Sequence, residues 1–182
     1  MWTRPVVIDT PVLLNLLATG FASEILKAIP VPCFLCPVVR SETIYLRHPD
    51  PTQPHERVSL DPFVEAGTLL VTELETSAEE ELYVQFAADL DDGEAMSLAL
   101  CHARGYSLAT DDRKARKLAT ELAPAAVPLL ATSEMIQNWS EQVQLSTERL
   151  GNVIQAVERR ARFVPGFGYP LKEWWERSRS LS

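Results

Sequence analysis

The chain has few cysteines, few cations and no long apolar run, and each shortage narrows what it does. Three cysteines among 182 residues, an odd number, make no disulfide framework. Cys33 and Cys36 form a CxxC, but it stands in the apolar setting VPCFLCP with no second such pair. Buried thiols are therefore expected there, rather than zinc or redox ligands. Lysine and arginine number 17 against 25 acids, a net charge of −8. That is the reverse of the basic footprint of avid, non-specific nucleic-acid binders, though it leaves room for a locally basic groove beside an acidic centre. No run of about 18 apolar residues occurs, so neither a spanning helix nor a membrane partner is expected. Residues 1–10 enter a strand-like run without the charged, apolar and cleavage regions of a leader, which predicts a soluble cytoplasmic protein. Internal repeats and low-complexity segments are missing, and the one breaker-rich loop, HPDPTQP at 48–54, is too short for a domain linker.

What is present is a 46% hydrophobic chain, enough for one domain with a real core. Its organising stretch is 91–122, DDGEAMSLALCHARGYSLATDDRKARKLATEL. An acidic turn opens a helix that is apolar on nearly every face, so that helix is expected to be buried. A short apolar strand over 106–110 follows, then a second acidic turn and an amphipathic helix with Ala115, Leu118, Ala119 and Leu122 on one face. Other strands are expected over 5–8, 31–35, 68–72 and 126–131. Helices are expected over 12–18, 21–29 and 37–46, after Asp61-Pro62, and after a capping-box pattern at 77–80. Strands alternating with helices predict an α/β fold with a parallel sheet covered by helices. The last fifty residues read as helical, with an amphipathic stripe at Leu150, Val153, Ile154, Val157 and Ala161. The aromatic tail, with Trp174 and Trp175, is expected to fold back onto the domain.

Charge marks the functional edge. In open parallel sheets, ligands bind beyond the carboxyl ends of the strands. Asp9 ends the first strand, and Asp111 and Asp112 end the strand over 106–110. Glu42, on a helix over 37–46, has Val38, Val39, Tyr45 and Leu46 as its helical neighbours, a costly place for an unpartnered carboxylate. Glu94 occupies the first turn of the buried helix, where the dipole favours an acid. Each acid also has a plain structural reading. Asp9 caps the helix behind it, Glu42 pairs with an arginine, Asp92 is an N-cap, and Asp111 or Asp112 caps the helix from Arg113. Together, several carboxylates at one sheet edge need an offset to their repulsion. A hard divalent cation with oxygen ligands provides one, and Mg²⁺ suits phosphate substrates. Arg113, Lys114, Arg116 and Lys117 sit in a helical first turn, where the macrodipole disfavours cations, and read as a phosphate grip or as a solvated face.

The motifs VVIDT around Asp9, Ser41-Glu42, LDDGEA at 90–95 and LATDDRKARKLA at 108–119 resemble the PIN-domain ribonucleases, including toxins of the VapC type. The similarity spans roughly residues 5–132. It implies a three-layer α/β/α fold with a central parallel sheet, and an Mg²⁺- or Mn²⁺-dependent endonuclease acting on RNA. The family is commonly dimeric and often paired with an antitoxin protein. By resemblance, Asp9, Glu42 and Glu94 match the first three acids. Asp112 fits the fourth through the T-x-D pattern, with Asp111 adjacent as a possible sharer of the role. Thr10 and Thr110 match hydroxyl positions beside the metal site. Pro11 departs from the small polar residue often found there, and the tail after Phe163 has no firm counterpart.

This predicts a nuclease domain over 1–132 and a helical extension with an aromatic tail over 133–182, packed on the same domain. The main rival is a catalytically weak module of the same fold that binds nucleic acid or protein without cutting. A phosphotransferase of the haloacid-dehalogenase kind needs a second aspartate two residues after Asp9, where Pro11 stands. A receiver-like domain needs a lone central aspartate and a late lysine at a strand end, and the chain shows neither.

Overall fold

Short runs of β-branched and apolar residues form the sheet. In the computed structural model, which describes residues 2–42, 44–50, 52–122 and 126–180, the chain runs β1 (Val6–Ile8), α1 (Thr10–Ala18), α2 (Ala22–Lys27), β2 (Cys33–Leu35), α3 (Pro37–Ser41), β3 (Ile44–Leu46), β4 (Glu56–Val58) and α4 (Asp61–Glu65). It continues as β5 (Leu70–Val71), α5 (Ser77–Phe86), α6 (Asp92–Arg104), β6 (Ser107–Ala109), α7 (Arg113–Glu121), β7 (Leu129–Leu130), α8 (Thr132–Gln142), α9 (Thr147–Arg160) and α10 (Lys172–Ser180). Two compact units emerge. The first takes Met1–Val12, Pro30–Glu42 and Leu60–Leu130, and the second takes Leu13–Ile29, Thr43–Ser59 and Ala131–Ser182.

The first unit carries a five-stranded parallel sheet, β5-β2-β1-β6-β7, flanked by helices: the α/β fold. All three residues of β1 and of β6 are buried, as parallel strands covered on both faces should be. From β1 the chain steps one way to β2 and β5, then returns to the other side of β1 for β6 and β7. The order therefore reverses between β1 and β6, which makes their carboxyl ends a switch-point crevice. Register brings those ends level, with Ile8 opposite Ala109 and the Asp9 amide donating to the Ala109 carbonyl at 3.0 Å. Helix α6 packs on this centre, with Ala95, Leu98, Ala99 and Leu100 fully buried, and stops at Gly105, whose left-handed φ of 66° suits glycine.

Charge fastens the far end of α6. The Arg104 guanidinium grips Glu79 with two bonds, Nε–Oε1 at 2.6 Å and Nη2–Oε2 at 3.1 Å. It also donates to Thr72 Oγ1 and to the Glu73 carbonyl. Glu79 closes a capping box with Thr76, one residue earlier than the sequence pattern suggests, because Thr76 rather than Ser77 holds the extended N-cap conformation. All three cysteines are free and buried, and burial pushes the Cys33 thiol up to about 12, so the CxxC is a pair of core thiols.

In the second unit, β3 and β4 pair antiparallel. The helix expected over 37–46 ends instead at Ser41, and after residue 43, which lies outside the described residues, the chain is extended. Ile44 and Leu46 are buried while Tyr45 is exposed, a two-residue alternation that belongs to a strand. Within this unit Trp175 is fully buried, donates Nε1–H to Glu158 at 3.0 Å and meets the Phe163 ring edge-on at 5.5 Å. Among the described residues, no helix is long and apolar enough to cross a membrane.

Candidate active site

The edge beyond β1 and β6 is assembled from short-range decisions in several segments. Asp9 leaves β1 buried, with Oδ1 accepting from the Thr10 amide at 2.8 Å and Oδ2 from the Thr110 hydroxyl at 2.9 Å. The same Thr110 oxygen accepts from the Asp112 amide at 3.2 Å, so one hydroxyl ties the ends of β1 and β6 together. Asp112 caps α7 through Oδ1, which accepts from the amides of Lys114 at 2.7 Å and Ala115 at 2.9 Å. Asp111, beside it, is half-buried. At the start of α6 the cap is Asp91, whose Oδ1 accepts from the Glu94 amide at 2.9 Å, while Asp92 accepts from the Tyr83 hydroxyl at 3.1 Å. The sequence pattern points to Asp92 as the cap and does not single out Asp91, whereas the structure makes Asp91 the N-cap. The LDDGEA motif held the signal, since Asp91 is the acid three residues before Glu94, the usual spacing of a capping carboxylate.

Glu42 arrives differently from the sequence expectation. It is not on a helix face directed at the core. It is exposed, in extended backbone, as the C-cap of α3. Arg40, one candidate partner, is taken by Asp61 at 3.0 Å. The Glu42 carboxylate instead lies over Gly93: a methyl group there would stand 2.9 Å from Glu42 Oε1, 3.3 Å from Val39 Cγ2 and 3.7 Å from Asp91 Oδ1. Gly93 is thus a cradle for that carboxylate.

These acids feel one another. Burial pushes Asp9 up to about 7, outweighing its bonds from Thr110 and Thr10, with the charges of Asp91 and Glu42 adding to the rise. Burial likewise pushes Glu94 up to about 7, aided by the charges of Asp112, Asp91 and Asp9. Among the described residues, no lysine or arginine pairs with Asp9, Glu42, Glu94 or Asp112. Those four acids therefore gather negative charge at the edge without a lysine or arginine paired to any of them among the described residues.

The residues fit a hard divalent ion. The donors are oxygens throughout, and the Thr10 hydroxyl, buried beside Asp9, has no hydrogen-bond partner among the described residues. No three acidic, imidazole or thiolate side chains among the described residues are arranged to close directly round one ion. The edge suits an ion bound through one or two carboxylates and retained waters, the habit of Mg²⁺.

The cations of α7 divide. Arg116 turns inward, Nη1 donating to the carbonyls of Thr110 at 2.8 Å and Leu130 at 3.0 Å, and so pins the ends of β6 and β7. Lys114 meets Asp89 at 3.3 Å and Lys117 meets Glu121 at 3.9 Å, both pairs solvent-exposed. Arg113 is exposed and in no ion pair among the described residues.

A family model described as a PIN domain matches residues 5–127, more than half of the chain. The chain belongs to the PIN-domain family. No curated protein and no solved structure matches it. The matched span contains the whole sheet apart from β7, together with Asp9, Glu42, Asp91, Glu94 and Asp112. PIN domains are usually nucleases and generally use divalent metals, which agrees with the oxygen-rich edge of this one.

Gly93 offers a direct probe of this PIN domain. Gly93→Ala fills the cradle, and only the mobile end of Glu42 and a Val39 methyl need to move. Alanine favours helix by up to about 1 kcal/mol. The expected outcome is unchanged or slightly higher Tm with divalent-ion affinity lowered about tenfold, the scale on which a displaced partner of a metal ligand is felt. Calorimetric Mn²⁺ titration beside a thermal melt measures both, and an undiminished affinity would separate Glu42 from the ion.

Proposed function

We propose that this PIN domain is a divalent-metal-dependent endoribonuclease that hydrolyses RNA phosphodiester bonds. The observation that carries the reading is the cluster of uncompensated carboxylates at the switch point of a parallel sheet, with Asp9 and Glu94 both displaced to about 7. Asp9, Glu42, Glu94 and Asp112 would hold Mg²⁺ or Mn²⁺, directly or through water, with Asp91 shaping the same pocket and Asp111 beside it. When bound, such an ion supplies Lewis acidity, activating water and balancing charge on the phosphoryl oxygens. Thr110 orients the Asp9 carboxylate by donating to Oδ2, and the Thr10 amide fixes Oδ1. Asp91 holds Glu94 in place by capping the first turn of α6. Arg113 and Lys114, exposed at the start of α7, are the cations best placed to meet the phosphate backbone, whereas Arg116 supports the strand ends. Unpaired bases are the favoured target, because the acids must reach a phosphate that is not shielded in a duplex.

Incubation of the full chain with a structured RNA pool and Mn²⁺ is expected to yield discrete fragments, and excess chelator to abolish them. Cleavage that survives chelation would remove the ion from the reaction. Mn²⁺ binding without cleavage would favour the rival reading, a PIN fold that binds and does not cut. The family resemblance supports reading this chain as a toxin with an antitoxin partner and as a homodimer, and the lack of a leader-like stretch supports a cytoplasmic site. A small antitoxin-like reading frame next to this gene would support the first two.

A further inference from the structure

The second unit holds a cavity of about 540 Å³ whose walls include Arg47, His48, Gln53, His55 and Arg159. Glu158, the one acid among the described wall residues, is already engaged, accepting from Trp175 Nε1 at 3.0 Å and facing Arg179 at 3.6 Å. Glu56, next to His55 in the chain, pairs with Arg160 and lies 3.7 Å from His48 Nε2. Among the described residues, neither Arg47 nor Arg159 is in an ion pair. Two guanidiniums and two imidazoles thus face one concavity in a chain whose net charge is −8.

The walls are built rather than draped. The Arg47 amide donates to the Arg160 carbonyl at 3.0 Å and Arg160 Nε returns a bond to the Arg47 carbonyl at 3.4 Å, so the backbone that carries Arg47 is held on both sides. Leu46 and Glu56 pair across β3 and β4, which sets Arg47 and His55 just beyond that pairing. His48 Nδ1 accepts from the Asp50 amide at 3.1 Å, and the Gln53 amide donates to the Asp50 carbonyl at 3.1 Å.

Guanidinium forks match phosphate oxygens two at a time, and a terminal monoester carries up to two charges where a diester carries one. The volume falls in the range of small-molecule sites and exceeds what a bare phosphate fills. Pro49 adds an apolar wall and Gln53 an amide able to meet a base edge. We propose that this cavity binds the phosphate monoester of a nucleotide-sized ligand, held by Arg47 and Arg159 with His48 and His55 alongside. Two sources share that chemistry, a free mononucleotide and the 5′-phosphorylated end of an RNA. The proposal uses none of the residues at the acidic edge.

Calorimetry on the full chain in chelator, which keeps the acidic edge idle, tests it with AMP and with a short single-stranded RNA bearing either a 5′-phosphate or a 5′-hydroxyl. The expected result is binding of AMP or the phosphorylated strand, at least about tenfold weaker binding of the hydroxyl strand, and at least about tenfold loss in Arg159→Ala and Arg47→Ala. Thermal melts of the variants should match the parent, since Arg159 is exposed and the Arg47 tie is made by its backbone. AMP bound without the strand assigns the free nucleotide, and a strand bound more tightly than AMP assigns the RNA end. The idea is overturned by no binding of either phosphorylated probe, by equal binding of the hydroxyl strand, or by affinities that both substitutions leave untouched. Because no ion is present, neither result bears on whether the acidic edge cleaves.

Discussion

Asp9→Asn is expected to reduce Mn²⁺-dependent RNA cleavage by at least about a hundredfold, the upper end of what losing a mere supporting partner of a metal ligand costs. The substitution is close to isosteric. The amide oxygen can still accept from the Thr10 amide, and its NH₂ can donate to the Thr110 hydroxyl, which accepts as well as donates. What changes is charge. Asp9 rises to about 7 from 3.8, so its contribution to stability is full below about pH 4, falls between those values and is gone above about 7. Glu94, raised from 4.5 to about 7, follows the same sign. The metal-free parent should therefore melt at lower temperature at pH 8 than at pH 5. In Asp9→Asn that slope should be shallower, and the metal-free variant should be the more stable of the two at pH 8. Added Mn²⁺ should raise the parent's Tm at pH 8 and leave the variant nearly unmoved. Equal cleavage by both proteins, or equal stabilisation by Mn²⁺, would take Asp9 out of the ion site.

The largest loss of stability is expected from Arg104→Ala. Glu79 is buried and its bidentate partner is Arg104, which holds its carboxyl down at about 2 from 4.5. Removing one member of such a pair leaves the carboxylate held only by the Glu75 and Thr76 amides, a cost of up to about 3–5 kcal/mol. In a chain of this size that corresponds to a fall in Tm of roughly 6–20 °C. The sign of the pH dependence is opposite to that of Asp9. A depressed carboxyl stabilises above its unfolded value of 4.5, and that support is lost as pH falls through about 2. Arg104→Ala should therefore lose stability at neutral pH and narrow its gap to the parent in acid. Arg104→Lys, with the charge kept and the fork lost, should fall between them. A melt within 1 °C of the parent at pH 7 would show that the clamp contributes nothing.

Some of this was legible in the sequence and some was not, for physical reasons. Alternating apolar runs and breakers were enough to find the parallel sheet, because β1 and β6 are buried throughout and the runs around them are short and mostly apolar, with Ser107 the polar exception. The sequence placed Asp9 and Asp111-Asp112 at strand ends, but only the register, with Ile8 opposite Ala109, brings Asp9 against Thr110. Glu42 could not be read this way. Periodicity continued the helix from Pro37 through it, whereas the chain turns extended there, and the contact with Gly93 joins segments about fifty residues apart. Asp91 and Asp92 are equivalent in any pattern count, and only backbone geometry decides which one caps. Arg116 looked like its neighbours until the carbonyls of Thr110 and Leu130 gave it an inward task. The strand Ile44–Leu46 was hidden by its own brevity.

Helix α6 has Glu94 in its first turn and Arg104 as its final residue. Its 13 residues, at about 1.5 Å each, make a rod about 20 Å long. A tilt of about 3° at one end swings the other by about 1 Å, an aiming error that costs an enzyme on the order of a hundredfold in rate. Loosening the guanidinium at the rear is therefore expected to spoil the aim of Glu94 at the front, although Arg104 stands at the opposite end of the rod.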